Sequence, residues 1–180
     1  MLSLVIFLTC LFVAVAVGAM AAWSDFKGLT IPNWHSAAVI LSFVVAYTLL
    51  YLLGSADVFR PLLSHVLAGL IVFAITALLF GLKMMGAADS KLSTAFAFWA
   101  GISGLPAFLF YMTLVGGGIG LSAIVLGKWK PIKNLPAGSW VARVQAGENK
   151  VPYGIAIVAG ALACFVNLGY FSEAILTLLN

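Results

Sequence analysis

Negative charge is scarce in this sequence. Asp25, Asp57, Asp89, Glu148 and Glu173 are the only acids in 180 residues, and charged residues of either sign make up 8%. A soluble domain carries about 25%. That deficit, with a mean hydropathy of +1.18, excludes a soluble protein and leaves an integral membrane protein. At roughly 20 residues per helical span, the length accommodates about six spans with short loops. The expectation is one all-α polytopic domain over residues 1–180. Histidine and cysteine are equally thin. Cys10 and Cys164 lie inside separate apolar runs, with no CxxC pair and no Cys/His cluster. A structural zinc site is therefore not expected, and the cysteines read as small core residues. His35 and His65 read as structural. The nine bases sit in short loops between apolar runs, which suits membrane orientation and anionic lipid headgroups rather than nucleic acid.

What is present is a series of apolar runs with punctuation between them. The first covers residues 2–22. Its ending, Ala19-Met20-Ala21-Ala22, has the look of a signal-peptide cleavage site, but no Lys or Arg precedes the apolar core, and the run is long enough to span. A retained helix is expected. Gly28 and Ile31-Pro32-Asn33 then break the chain, because proline lacks a backbone donor and pushes its predecessor into extended geometry. Trp23 and Trp34 flank this break at a depth suited to lipid headgroups. Further spans are expected at 34–53, 62–83, 86–103, 106–127 and 153–176. Gly116 and Gly120 have the small-xxx-small spacing that lets membrane helices approach closely. Residues 128–152 form the one long loop, holding five bases against Glu148.

Orientation follows from the bases. Lys27, Lys83, Lys91, Lys128, Lys130, Lys133, Arg143 and Lys150 fall in loops one, three and five, and only Arg60 falls on the other face. The positive-inside rule puts those three loops in the cytoplasm and both termini outside. Asp25 and Asp89 then share the cytoplasmic face, each at the end of a span. Asp57 lies opposite.

An ionisable side chain in so apolar a chain is costly and points to function. Two carboxylates brought together at a semi-dry site cannot both ionise cheaply. One keeps its proton while the other acts as a base, and the pair titrates as a unit. That arrangement suits peptide hydrolysis: the ionised partner deprotonates an attacking water while the protonated one hydrogen-bonds to the carbonyl oxygen. Interfacial pairing of Asp25 with Lys27 and Asp89 with Lys91 is the alternative at this point.

Three stretches carry a resemblance. Ser24-Asp25-Phe26-Lys27-Gly28-Leu29-Thr30-Ile31-Pro32-Asn33 resembles the first catalytic motif of the type IV prepilin peptidases, an Asp followed by bases and Ile-Pro-Asn. Gly86-Ala87-Ala88-Asp89-Ser90-Lys91-Leu92 is similar to their second motif, Gly-x-Gly-Asp-x-Lys-Leu. Lys150-Val151-Pro152-Tyr153-Gly154 resembles their entry to the last helix. Two departures stand out. Ala88 occupies the position of the second motif glycine, adding a methyl beside the acid. No cysteine-rich insertion, the part associated with N-methylation in larger members, separates the first two spans.

The resemblance implies an aspartic endopeptidase of the bacterial inner membrane from the short, peptidase-only branch serving Flp-type, tight-adherence pili. It would remove the leader from a pilin precursor on the cytoplasmic side, needing neither metal nor other cofactor. Asp25 and Asp89 would be the catalytic pair, with Gly86, Lys91, Asn33, Pro32, Pro152 and Tyr153 as supporting or substrate-binding positions. Substrate and lipid would be its partners. A small transporter or proton relay is the alternative from another class, although no internal repeat is evident and both acids lie at one face. An inactive family member acting in pilus assembly is a third reading, to which only Ala88 points.

Overall fold

No proline and no charge interrupts the chain before Asp25, and helix α1 accordingly runs Leu2–Gly28, past the expected end at residue 22. Leu29 stops it by adopting the left-handed conformation (φ 53°), with its amide bonded to the Asp25 carbonyl at 2.7 Å. Asp25 thus occupies the last turn of α1 rather than a loop. The computed structural model describes residues 1–59, 61–132, 135–136, 138–148 and 150–179. Arg60 and Lys133, which entered the orientation count, lie outside the described residues.

Pro32, pre-set for a helix start, leads into α2 (Asn33–Leu52). A 3₁₀ turn at Ala56–Val58 precedes α3 (Leu62–Gly81), and α4 covers Ala87–Trp129. The short α5 (Trp140–Gln145), then α6 (Tyr153–Asn167) and α7 (Glu173–Leu178), complete the order, with no strand among the described residues. Four helices, α1 to α4, are long and apolar enough to cross a membrane. The anticipated six is reached only by counting the two arms of α4 separately and adding α6, which has 15 residues.

The two arms of α4 meet at Gly101, whose φ of 59° and ψ of 174° are non-helical. Neighbours on either side show that the chain reverses there. Asp89 shares an end of the bundle with Asp25, while Trp99 packs against Phe7 near the other end of α1. Beyond Gly101, Gly104 lies against Cys164 and Leu168, Phe108 and Met112 lie against Gly160, and Gly116 lies against Tyr153. The second arm therefore descends antiparallel to α6.

A reversal without a loop breaks the helical hydrogen-bond ladder inside the bundle, where unpaired backbone groups are costly. Three side chains from elsewhere restore it. Ser64 Oγ accepts from the Ile102 amide at 3.1 Å, His65 Nδ1 bonds the Phe98 carbonyl at 2.6 Å, and the Tyr170 hydroxyl donates to the Trp99 carbonyl at 3.0 Å. This gives both His65 and the end of α6 a structural task. Tyr170→Phe should leave the Trp99 carbonyl without that donor and cost about 1–3 kcal/mol, read as a lower midpoint of thermal unfolding in detergent.

The chain turns at Gly101, ahead of the gap expected between residues 103 and 106. Pro106 lies inside the second arm, in its second turn, where it forfeits little of the ladder. The last span also ends early. Gly169 (φ 75°) closes α6 with the Tyr170 amide bonded to the Phe165 carbonyl and the Gly169 amide to that of Val166, each at 3.0 Å. That paired pattern terminates a helix through a left-handed residue, so the run to 176 divides into α6 and α7. Within 128–152, α4 continues to Trp129 and α5 is helical. Of the small-xxx-small pair, Gly116 makes the close approach, whereas nothing lies within 4 Å of where a Cβ on Gly120 would sit.

The core is aromatic. Trp99 is fully buried among Phe7, Phe43, Phe59 and Phe165, and its indole donates to the Val39 carbonyl at 3.1 Å. At that end the Met1 amino group reaches the Leu179 carbonyl at 3.4 Å and Ser3 pairs with Ser55 at 2.9 Å. Both chain ends and Asp57 are there. The acids of interest are at the other end.

Candidate active site

Three helix termini converge at that other end: the last turn of α1 and the first turns of α4 and α6. The first amides of a helix have no partner within it, and each of the two starting helices presents its free amides to a carboxylate. Pro152, the residue before α6, offers no side-chain cap. Asp25 does so from α1, its Oδ2 accepting from the Gly154 amide at 2.7 Å across 129 residues of sequence. Asp25 is only 5% exposed, so this contact is water-poor as well as short. The positive end of the α6 dipole favours an anion there.

Asp89 sits at the third position of α4, and its carboxylate reaches back to the backbone amide of Gly86, the residue before the helix. This is the reciprocal half of a capping box. A Cβ on Gly86 would lie 2.8 Å from Asp89 Oδ2, so glycine at 86 leaves the carboxylate its room. Ala88 is half-buried and packs against the main core.

The α4 start is tied to two neighbouring helices and braced by one bond within its own first turns. Ser90 Oγ pairs with Thr76 Oγ1 of α3 at 2.8 Å in a buried contact. Ser93 Oγ donates to the Asp89 carbonyl at 2.8 Å. Lys91 Nζ donates to Asn33 Oδ1 at 3.0 Å, tying α4 to the start of α2. The intervening turn is braced by Ser24 Oγ, which donates to the Thr30 carbonyl at 2.8 Å.

Asp25 and Asp89 lie within electrostatic range of each other, and the Tyr153 phenol lies within range of Asp89. Lys27, expected as a possible neighbour of Asp25, instead extends over the Trp23 ring with Nζ 5.6 Å from its centroid. No ion pair ties Asp25 to Lys27 or Asp89 to Lys91 among the described residues. Two carboxylates free of such pairing, one deeply buried and one half-buried, are equipped for acid–base work on a shared water. No group of three or more His, Cys, Asp or Glu able to hold a metal occurs among the described residues.

The structure brings most of the sequence-nominated positions to this end. Gly86, Asp89 and Lys91 start α4, Pro32 and Asn33 start α2, and Pro152 and Tyr153 start α6. Pro32 and Pro152 act as helix starts and Lys91 with Asn33 as a tie between helices. Sequence reasoning did not single out Gly154, whose amide holds Asp25 and whose missing side chain leaves space for it: a Cβ there would lie 3.0 Å from Asp25 Oδ2 and 3.2 Å from Ile31 Cδ1. It also overlooked Thr76, a hydroxyl inside an apolar span, where polar groups repay attention.

Comparison with known proteins gives one family. A family model described as the type IV leader peptidase family matches residues 6–121. The match holds both acidic motifs and stops short of the third, at 150–154. No curated protein and no solved structure matches the chain. Well over half of the sequence, including Asp25 and Asp89, follows one family pattern, and the chain belongs to the type IV leader peptidase family.

Proposed function

We propose that this protein is a membrane aspartic endopeptidase that removes the leader peptide from a Flp-type pilin precursor, with Asp25 and Asp89 as its catalytic pair. The observation that carries the reading is the convergence of the two acids at one end of the bundle, with Asp25 held by the Gly154 amide. In the proposed reaction one carboxylate accepts a proton from water as the oxygen attacks the scissile carbonyl. The other donates a proton to the developing oxyanion. Collapse of the intermediate then expels the amine, which takes up a proton from the dyad, leaving a carboxylic acid and an amine as products.

The excess of bases in the loops at this end supports a cytoplasmic position for the site, in a bacterial inner membrane. The precursor would then present its leader in water and its apolar helix in lipid, with the bond to be cut at the boundary. Lipid surrounds the helices and attracts the basic segment around Lys128 and Lys130. No step in this scheme calls for a metal or another cofactor.

Co-expression with a Flp-type precursor tests the reading: the precursor should shift to the mature size on a gel, and an unshifted precursor would refute it. Ala88→Gly should change the cleavage rate by less than about threefold, as expected of a substitution that touches no special feature. A large gain of activity would show instead that the methyl obstructs the substrate.

A further inference from the structure

The second arm of α4 does not stop where α6 begins. It meets Tyr153 at Gly116 and continues to Trp129, where Ala123 packs in one cluster with Trp140, Val144, Phe26 and Leu29. Alongside it lies a groove of about 600 Å³. Gly120, Ala123 and Gly127 of α4 form one wall, and Val144, Glu148 and Val151 the other. The groove begins one helical turn from the candidate site. Gly116 is one turn before Gly120 and touches the Tyr153 ring, and Val151 precedes Tyr153 by two residues.

Its chemistry is specific. The α4 wall combines one large apolar side chain, Ile124, with Gly120, Ala123 and Gly127, where a bound chain can approach the helix backbone. Gly120 faces open space, with nothing within 4 Å of where its Cβ would sit. Glu148 is exposed and, among the described residues, is the only charged residue lining the groove. It makes no ion pair among the described residues, although Lys128, Lys130, Arg143 and Lys150 lie nearby in sequence. A carboxylate on the rim opposes an anionic lipid headgroup and favours a cationic side chain.

We infer that this groove is the binding site for the leader segment of the substrate, seating small or apolar leader residues against Gly120 and Gly127 and a basic leader side chain against Glu148. The inference rests on the proposed peptidase reading. A precursor whose apolar helix lies in the membrane must carry its leader to the water side of the dyad, and the groove lies along the part of α4 that extends past Gly116.

Purified enzyme and a precursor peptide in detergent provide the test. Gly120→Phe fills the groove from a position where the added side chain meets no protein atom near its base. It should lower kcat/KM at least about tenfold, chiefly through KM, in the range of a lost pocket contact. Gly117→Phe adds the same bulk outside the groove and should change little. Glu148→Lys should cost roughly fivefold, and a precursor with one leader Lys or Arg changed to Glu should restore cleavage by that variant while being a poorer substrate for the wild type. Equal kcat/KM for Gly120→Phe and wild type would overturn the inference, leaving the groove to lipid. So would a Glu148→Lys defect that no leader charge reversal repairs. If the wild-type enzyme itself fails to cut the precursor, the peptidase reading fails first, independently of the groove.

Discussion

Asn in place of either Asp25 or Asp89 is expected to abolish precursor processing, while Asp57→Asn leaves it intact. Asn nearly matches Asp in shape, and in Asp25→Asn the side-chain amide oxygen can still accept from the Gly154 amide, so the helix termini should hold their places. What disappears is the capacity to take or give a proton. General acid and general base each contribute about 10²–10⁴-fold, so loss of either brings cleavage below what a gel shift detects. Asp57 is the control for charge removal as such, since it lies in the 3₁₀ turn beside Ser55 at the opposite end of the bundle. Processing that persists in either dyad variant would sink the two-carboxylate mechanism. Equal loss in Asp57→Asn would instead tie activity to the far end of the protein.

Gly154→Ala should reduce cleavage by about 10²-fold while the protein still folds. The added Cβ would stand 3.0 Å from Asp25 Oδ2 and 3.1 Å from Asp25 Cβ, closer than carbon usually approaches either atom. Ile31 closes the third side. The Asp25 carboxyl must therefore move by a few tenths of an ångström or rotate, loosening its hydrogen bond to the same residue. Misplacement of a catalytic group by ~1 Å can cost 10²-fold in rate. Stability should change much less, because alanine is a better helix former than glycine and offsets part of the crowding. Circular dichroism and thermal unfolding in detergent would report the fold, and peptide cleavage would report kcat. A rate close to wild type would mean that Asp25 does not need the position it holds against α6.

The all-helical membrane fold was legible in the sequence, as was a shared end for the two acids, but the turns between helices were not. Asp25 and Asp89 could be assigned to one end of the bundle because the signal was local: bases clustered in alternate loops and acids fell at helix ends. The supporting positions came from the family resemblance, and the structure gives Pro32 and Pro152 the place before a helix start. The reversal in α4 was not legible. The stretch Gly101-Ile102-Ser103-Gly104-Leu105-Pro106 offers several breakers within six residues. The choice between them was made by Ser64, His65 and Tyr170, which are remote in sequence and can satisfy backbone groups around residue 101 alone. The end of the last span was missed differently. Leu168 and Phe171 keep the run apolar on both sides of Gly169, so hydropathy did not reveal what a single left-handed residue does to the helix. Gly154, although part of the third motif, was assigned no role, because its contribution is an amide and an empty space and neither depends on a side chain.

The seal around Gly101 also dictates an order of biogenesis. Ser64 and His65 emerge before the two arms of α4 and can engage Ile102 and Phe98 as soon as the hairpin enters the bilayer. Tyr170 emerges last, more than half the chain after α3 begins. Until it docks, the Trp99 carbonyl lacks this donor in a setting that punishes bare backbone. A nascent chain released before residue 170 would carry both acids and all of the family-matched segment, yet hold an unsealed hairpin. Such a chain is the natural target for membrane quality control.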